Sequence, residues 1–304
     1  MIVSLTGGLG NQLFQMYAGL YFSEDTVTLS TEFGNPRESG GFTDLFHFQL
    51  PSRIRIIEKK GADRFAEKFG GLAIRRNLIP QAVDKFALSN NLLSSILNSY
   101  FSKKLSERVR VFSSPEVGMV DSVPDNDELI FGYFQTYRYF SSLGAQDRQL
   151  SLLRKSREFL KLEETARVNN PIVVHVRLGD YAKERHFGVL SANYYLNCFT
   201  KLDLINSEQP IWVFSDEPTK ALDILPKLSP ERFFVVPNEV LTPAETLELM
   251  RHGSTYVIAN STFSWWGATL SYSDNPTVIA PEKWFAGMQD PRELLPSKWM
   301  TEKR

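Results

Sequence analysis

Residues 171–181, P-I-V-V-H-V-R-L-G-D-Y, limit the fold more than any other stretch. Ile172, Val173, Val174 and Val176 surround His175, so apolar β-branched side chains fall on both faces of one short run. A strand of that kind belongs in a parallel sheet covered on both sides, and parallel strands need long crossovers, usually helices. The class that follows is α/β. Gly179 ends the run and leaves Arg177 and Asp180 just past the strand's carboxyl end, where open α/β sheets bind ligands.

The same rhythm runs through the chain. Residues 2–5 predict a strand, G-G-L-G-N-Q a glycine turn, and L-F-Q-M-Y-A-G-L-Y-F a helix by its apolar spacing. Gly7, Gly8 and Gly10 allow close backbone approach, and Asn11 and Gln12 add side-chain donors where a helix start offers N–H groups to an anion. No G-K-[ST] ends the turn, so it is not a Walker loop. Residues 27–30 and 53–58 predict strands, 32–41 a loop on the ligand side, and 59–105 a mixed helical stretch broken at Pro80. Residues 129–134 predict another strand and 147–168 an amphipathic helix stopped by Asn169-Asn170-Pro171, which sets a domain boundary. The division is therefore an N-terminal domain, 1–168, and a C-terminal domain, 169–304.

In the second half, strands are predicted at 172–176, 211–214, 233–236, 256–259 and 278–280, with a helix at 193–202 and a polar tail after Trp284. A helix at 242–252 carries Thr242 as N-cap, Pro243 at its first position and Glu245 completing a capping box. Strands alternating with helices in both halves imply two doubly wound, Rossmann-type domains.

Composition removes several function classes. With 304 residues and 42% hydrophobic content, each half has enough material for a core. The 34 basic and 35 acidic residues leave no broad positive field, so nucleic acid is not expected as a partner and an anion must be gripped locally. Cys198 is the sole cysteine, which precludes an internal disulfide and a cysteine metal cluster. His47, His186 and His252 have no mutual ligand spacing, and no metal is assigned. The chain opens into M-I-V-S-L without signal-peptide character, and no run reaches the ~20 apolar residues of a membrane span. The expectation is a cytoplasmic protein, at most peripheral to a membrane.

Three strand exits of the second half should open on one edge: Arg177 with Asp180, Ser215-Asp216-Glu217, and N-S-T-F-S at 260–264. Ser261 and Thr262 can cap the following helix, bringing hydroxyls and amides to a place suited to a diphosphate. Arg177 offers a planar fork for phosphate oxygens, and Asp180 can orient it or take a hydroxyl; a purely structural Arg–Asp pair is the alternative. Asp216 stands where acidic residues accept from ribose or base. His175 reads equally as a core histidine or a site residue, while Trp265 and Trp266 read as packing. D-N-D at 125–127 precedes its strand in an acidic, proline-bearing loop and reads as solvated rather than metal-binding. Gly8-Leu9-Gly10 with Glu32 one βα unit later leaves open an NAD(P)-type oxidoreductase, although Leu13 fills the place of its third small residue. A non-catalytic nucleotide-sugar-binding module is a third reading.

Taken together, the motifs G-G-L-G-N-Q-L-F-Q (7–15), G-Y-F-Q (132–135), H-V-R-L-G-D-Y (175–181), F-S-D-E (214–217), A-N-S-T-F-S-W-W-G-A (259–268) and V-I-A-P (278–281) resemble the inverting α-1,2-fucosyltransferases of glycosyltransferase family 11. The resemblance implies a GT-B-like pair of Rossmann-type domains facing across a cleft, GDP-fucose as donor substrate, no cofactor or metal, and a galactose-containing acceptor such as a bacterial surface polysaccharide or oligosaccharide. A related donor such as GDP-colitose is compatible with it. The second domain would bind the donor and loops of the first, 32–46 and 133–139, would select the acceptor. Carried over by position, Arg177 would hold the diphosphate with His175 and Asp180 in support. Asn260, Ser261, Thr262, Phe263 and Ser264 would meet phosphate and ribose, and Asp216 the guanosine. Gly8, Gly10, Asn11 and Gln12 would face the donor from the first domain, with Asn11 among the catalytic group. The general base is open between Asp180, a departing phosphate oxygen and Asp44. The family usually carries a second arginine after the first, where this chain has Leu178.

Overall fold

The structure, a computed structural model, describes residues 1–31, 34, 36–57, 111–114, 116–123, 129–182, 184 and 186–304. Glu32, the stretch 59–105 with its break at Pro80, and the D-N-D at 125–127 lie outside them. The chain divides into two units, Met1–Ser151 with Met288–Leu294, and Leu152–Gly287 with Leu295–Arg304.

The first unit contains β1 (Ile2–Ser4), α1 (Leu9–Phe22), β2 (Val27–Ser30), β3 (Ile54–Ile57), β4 (Val111–Ser113), β5 (Leu129–Phe131) and α2 (Tyr137–Ser142). Its strands run parallel in the order β3-β2-β1-β5-β4. Helix α1 buries Leu13, Phe14, Met16, Tyr17 and Leu20. It lies so close to the sheet that a Cβ on Gly19 would come within 2.6 Å of Val3 Cγ2 and 2.8 Å of Val27 Cγ1. The small residue that close helix–strand packing requires therefore sits at Gly19, further along the helix than Leu13.

Gln12 and Gln15 tie the glycine turn to its surroundings. Gln12 Nε2 donates to the carbonyls of Gly7 and Arg37 at 2.9 and 3.1 Å, and its Oε1 accepts the Leu45 amide at 2.9 Å. Gln15 Oε1 accepts the Thr6 amide, and its Nε2 donates to the Gly132 carbonyl, both at 3.0 Å. Both side chains are buried, and each fills backbone hydrogen bonds that would otherwise be lost.

The second unit contains α3 (Arg157–Asn169), β6 (Ile172–Val176), α4 (Ala192–Lys201), β7 (Ile211–Ser215), β8 (Phe233–Val235), α5 (Pro243–Met250), β9 (Thr255–Val257), α6 (Thr262–Thr269), β10 (Thr277–Pro281) and β11 (Met300–Glu302). The sheet is parallel throughout, ordered β8-β7-β6-β9-β10-β11. This is the Rossmann order, in which the winding reverses between β6 and β9. Ile172, Val174 and Val176 form one core with Tyr194, Cys198 and Phe199 of α4 and Ile211 and Val213 of β7. Burying each aliphatic side chain is worth about 1.5–3 kcal/mol. The Tyr194 hydroxyl donates to the Ile258 carbonyl at 2.7 Å and the Tyr195 hydroxyl to the His175 carbonyl at 3.1 Å, fixing the exits of β9 and β6.

Thr242 caps α5 with Pro243 in its first turn and Glu245 in a capping box, as the sequence predicts. Asn170 ends α3 in the left-handed conformation at φ 41°. The Trp265 and Trp266 rings pack edge to face at 4.7 Å, both buried. Two expectations differ from what is observed. Helix α3 belongs to the second unit, because Glu245 Oε1 accepts the Ser156 amide at 2.7 Å just before it and α3 packs on α5. The region read as a polar tail supplies β11, an edge strand of three residues too short and too polar to announce itself. Residues 288–294 return to the first unit, where Glu293 accepts Thr136 Oγ1 and the Tyr137 amide through its carbonyl and pairs with Arg138 at 2.8 Å.

Candidate functional site

Parallel pairing puts His175 beside Phe214 and Val176 beside Ser215, and Val174 beside Val257. The exits of β6, β7 and β9 therefore share one edge of the second sheet, and the reversal point lies between β6 and β9. Arg177 leaves β6 there. Its Nη2 donates to Asp180 Oδ1 at 2.7 Å, its Nε lies 3.3 Å from Asp216 Oδ2, and its guanidinium sits 5.1 Å over the Tyr181 ring. The two carboxylates differ in hold. Asp216 Oδ1 also accepts the Leu178 amide at 2.9 Å, whereas the Asp180 side chain is 51% exposed. An exposed pair contributes about 0–1 kcal/mol, which bounds the Arg177–Asp180 pair.

Gly179 makes the turn possible by having no side chain: a Cβ there would come within 2.5 Å of Asp216 Oδ2. Leu178 directs its side chain onto the apolar core of β6 and α4, so this position adds packing in place of a second charge. Tyr181 stacks on Phe187 at 4.8 Å, which in turn lies 5.7 Å from Phe285. Burial pushes the Tyr181 phenol up to about 12, so it is neutral at physiological pH.

His175 faces the side of the sheet opposite the α4 core, 6.3 Å from the Phe263 ring. Burial, with the charge of Arg177 adding to it, lowers its pKa to about 3. The ring is neutral, and its buried Nδ1 has no hydrogen bond among the described residues. Asn260 Oδ1 shares that condition, and Arg177 Nε makes no hydrogen bond among the described residues although it is ion-paired with Asp216 Oδ2 at 3.3 Å. Such atoms are uncommon in folded proteins and call for an explanation.

At the exit of β9, Ser261 caps α6, accepting the Phe263 amide at 3.4 Å. Ser264 Oγ turns inward to the carbonyls of Ser261 and Ala259 at 3.2 and 3.4 Å. Thr262 opens the helix and is half-buried. The first amides of a helix have no partner within it and carry partial positive charge, so α6 and Arg177 present donors at neighbouring strand ends. Asn260 Nδ2 donates to the carbonyls of Phe187, Gly188 and Trp284 at 3.0, 3.3 and 3.1 Å. Arg304 donates to the same three at 2.7, 2.8 and 3.3 Å. Asn260 thus ties loops together through its nitrogen, while its oxygen has no hydrogen bond among the described residues. Nothing in the sequence pattern points to Arg304 or to the Tyr181 stack.

In the first unit Gly8 is the N-cap of α1, and Gly10, Asn11 and Gln12 lie in the first turn of that helix. Gln12 is fully used in structure, as described above. Asn11 is half-buried, and its Oδ1 accepts Gln135 Nε2 at 3.1 Å. Asp44, also in this unit, is buried; its Oδ1 accepts Ser39 Oγ at 2.6 Å and burial raises its pKa.

Glu163, Glu248 and His252 bring ligand-type atoms within 4.8 Å of one another, a grouping that linear spacing does not reveal. Lys155 and Arg251 already pair with the two carboxylates at 2.7 and 2.6 Å. No helix among the described residues is long and apolar enough to cross a membrane.

A family model described as Glycosyl transferase family 11 matches residues 62–299. The chain is 25% identical over 334 residues to the O-antigen biosynthesis glycosyltransferase WbnK of Escherichia coli, covering 99% of each. It is 26% identical over 313 residues to an alpha-1,2-colitosyltransferase of Escherichia coli, covering 99% of this chain and 98% of that one. Among solved structures, the fucosyltransferase NodZ from Bradyrhizobium aligns with a TM-score of 0.49 at 12% identity, covering 89% of this chain and 91% of that one.

Proposed function

We propose that this chain, which belongs to glycosyl transferase family 11, moves L-fucose or a closely related deoxysugar from its GDP-β-linked donor to a galactoside hydroxyl, inverting the anomeric centre to form an α-1,2 linkage. The observation that carries the reading is Arg177 at the reversal point of the second sheet, at a strand end neighbouring the start of α6 and paired with Asp216 and the more exposed Asp180. Family membership supports glycosyl transfer over a dinucleotide oxidoreductase or a binding module. The similarity to the colitosyltransferase and to the O-antigen enzyme supports a deoxysugar donor and a surface-polysaccharide acceptor.

In-line attack on the anomeric carbon develops positive charge there and negative charge on the departing diphosphate. Arg177 and the first amides of α6 would meet that negative charge as preorganised donors. A diphosphate oxygen would replace Asp180 on Nη2, while Asp216 keeps the guanidinium in place. His175, neutral and buried, supports the strand exit and adds no opposing charge. The group that takes the acceptor proton must reach solvent-borne substrate, which favours exposed Asp180 over buried Asp44.

The test is incubation with GDP-fucose and GDP-colitose over a panel of β-galactosides, followed by linkage analysis of the product. Arg177→Ala is expected to abolish transfer while the melting temperature stays within a few degrees of wild type. Turnover near wild type in that variant, or no transfer from either donor by the unaltered protein, overturns the reading.

A further inference from the structure

In the first sheet β5 lies parallel beside β1, and a pair of side-chain amides stands at the exits of these two strands. Gln135 follows β5 through a turn in which Phe134, a non-glycine residue, adopts φ 53°. That conformation is costly for an L-residue and persists only where its surroundings impose it. The turn brings the Gln135 amide to Asn11, and Gln135 Nε2 donates to Asn11 Oδ1 at 3.1 Å. Two atoms of the pair remain. Gln135 is buried and its Oε1 has no hydrogen bond, and Asn11 Nδ2 has no partner among the described residues. Residue 7 has to be glycine for this arrangement, since its φ is 72° and a Cβ there would come within 2.6 Å of Asn11 Nδ2.

We propose that the Asn11–Gln135 amide pair is a sugar-hydroxyl subsite on the first unit, in which Asn11 Nδ2 donates to the hydroxyl oxygen and Gln135 sets the sense of the Asn11 amide. The pair offers one donor and one acceptor. A hydroxyl satisfies both kinds of group from a single atom, whereas a phosphate or carboxylate accepts only and would leave Gln135 Oε1 unpaired. The bond from Gln135 Nε2 holds the Asn11 oxygen inward, so nitrogen is the atom presented. The inference rests on the glycosyltransferase reading for its ligand class, and the hydroxyl can belong to the donor's deoxysugar or to the acceptor.

Two nearly isosteric variants test it. Asn11→Asp removes the donor and keeps the acceptor for Gln135 Nε2. Gln135→Glu places an acceptor opposite Asn11, which turns the Asn11 amide over and presents oxygen to the ligand. Saturation-transfer NMR is recorded on wild type and both variants with methyl β-D-galactopyranoside, GDP-β-L-fucose and GDP. An acceptor hydroxyl predicts at least a tenfold loss of the galactoside signal in both variants with GDP-fucose unchanged. A donor hydroxyl predicts loss of the fucose protons while the guanine proton remains. Wild-type sugar signals from both ligands in the folded variants overturn the subsite, as does absence of any sugar signal from the unaltered protein. Failure of the GDP-sugar reading is separable, because it appears as absence of the guanine signal from GDP in the unaltered protein.

Discussion

Asp216 Oδ2 lies 3.3 Å from Arg177 Nε while its Oδ1 accepts the Leu178 amide at 2.9 Å, so one carboxylate from β7 fixes both the charge and the backbone that leave β6. Asp216→Asn keeps an acceptor for the amide and removes the charge. GDP binding, measured by calorimetry, should weaken about tenfold, with little change in the melting temperature.

Gly179→Ala tests the same relationship by steric means. Its Cβ would press within 2.5 Å of Asp216 Oδ2 and displace the carboxylate from Arg177. GDP affinity should fall at least as far as in Asp216→Asn, and unaltered affinity would mean that the turn accommodates the methyl group elsewhere.

His175 couples stability to acid. An unfolded histidine takes its proton near 6.5, but burial keeps the folded ring neutral down to about 3. Below pH 6.5 the unfolded chain therefore binds the extra proton, and stability falls as pH drops through that window. At about 1.4 kcal/mol per pH unit, going from pH 6.5 to 4.5 should remove roughly 2–3 kcal/mol through this group. Urea unfolding of His175→Gln across this range should show a shallower loss than wild type. Equal slopes would assign the acid sensitivity to other groups.

Asn260 and Arg304 hold the same three carbonyls, of Phe187, Gly188 and Trp284. Asn260→Leu should destabilise by roughly 1–3 kcal/mol and Arg304→Met by less, because either partner alone leaves the carbonyls served. The double variant should lose more than the sum, since only then are the carbonyls orphaned. Denaturant unfolding of all four proteins measures the excess.

Gln12→Leu should cost roughly 1–3 kcal/mol, since it orphans the Leu45 amide, while the Gly7 and Arg37 carbonyls keep the amides of Arg37 and Asp44. The loss should appear in urea unfolding, whether or not ligand is present.

Local chemistry was enough to determine much of this protein from its sequence. The apolar run at 172–176, the Thr242 capping box and the Ser261 cap depend on neighbours a few residues away, and each lies where the pattern predicts. Parallel strands follow from runs that are apolar on both faces, and with them the shared edge for Arg177, Asp216 and Asn260. The tertiary structure decided which unit each segment joined and which atoms each side chain met. Helix α3 and residues 288–294 join units that chain order does not suggest, because packing and hydrogen bonds over long sequence separations outweigh adjacency. Gln12 reads as a ligand donor in the sequence and is a backbone tie in the fold, whereas Gln135 becomes noticeable through its missing hydrogen bond. A glutamine has the same donors and acceptors in either setting. Only the surrounding atoms decide which are already satisfied.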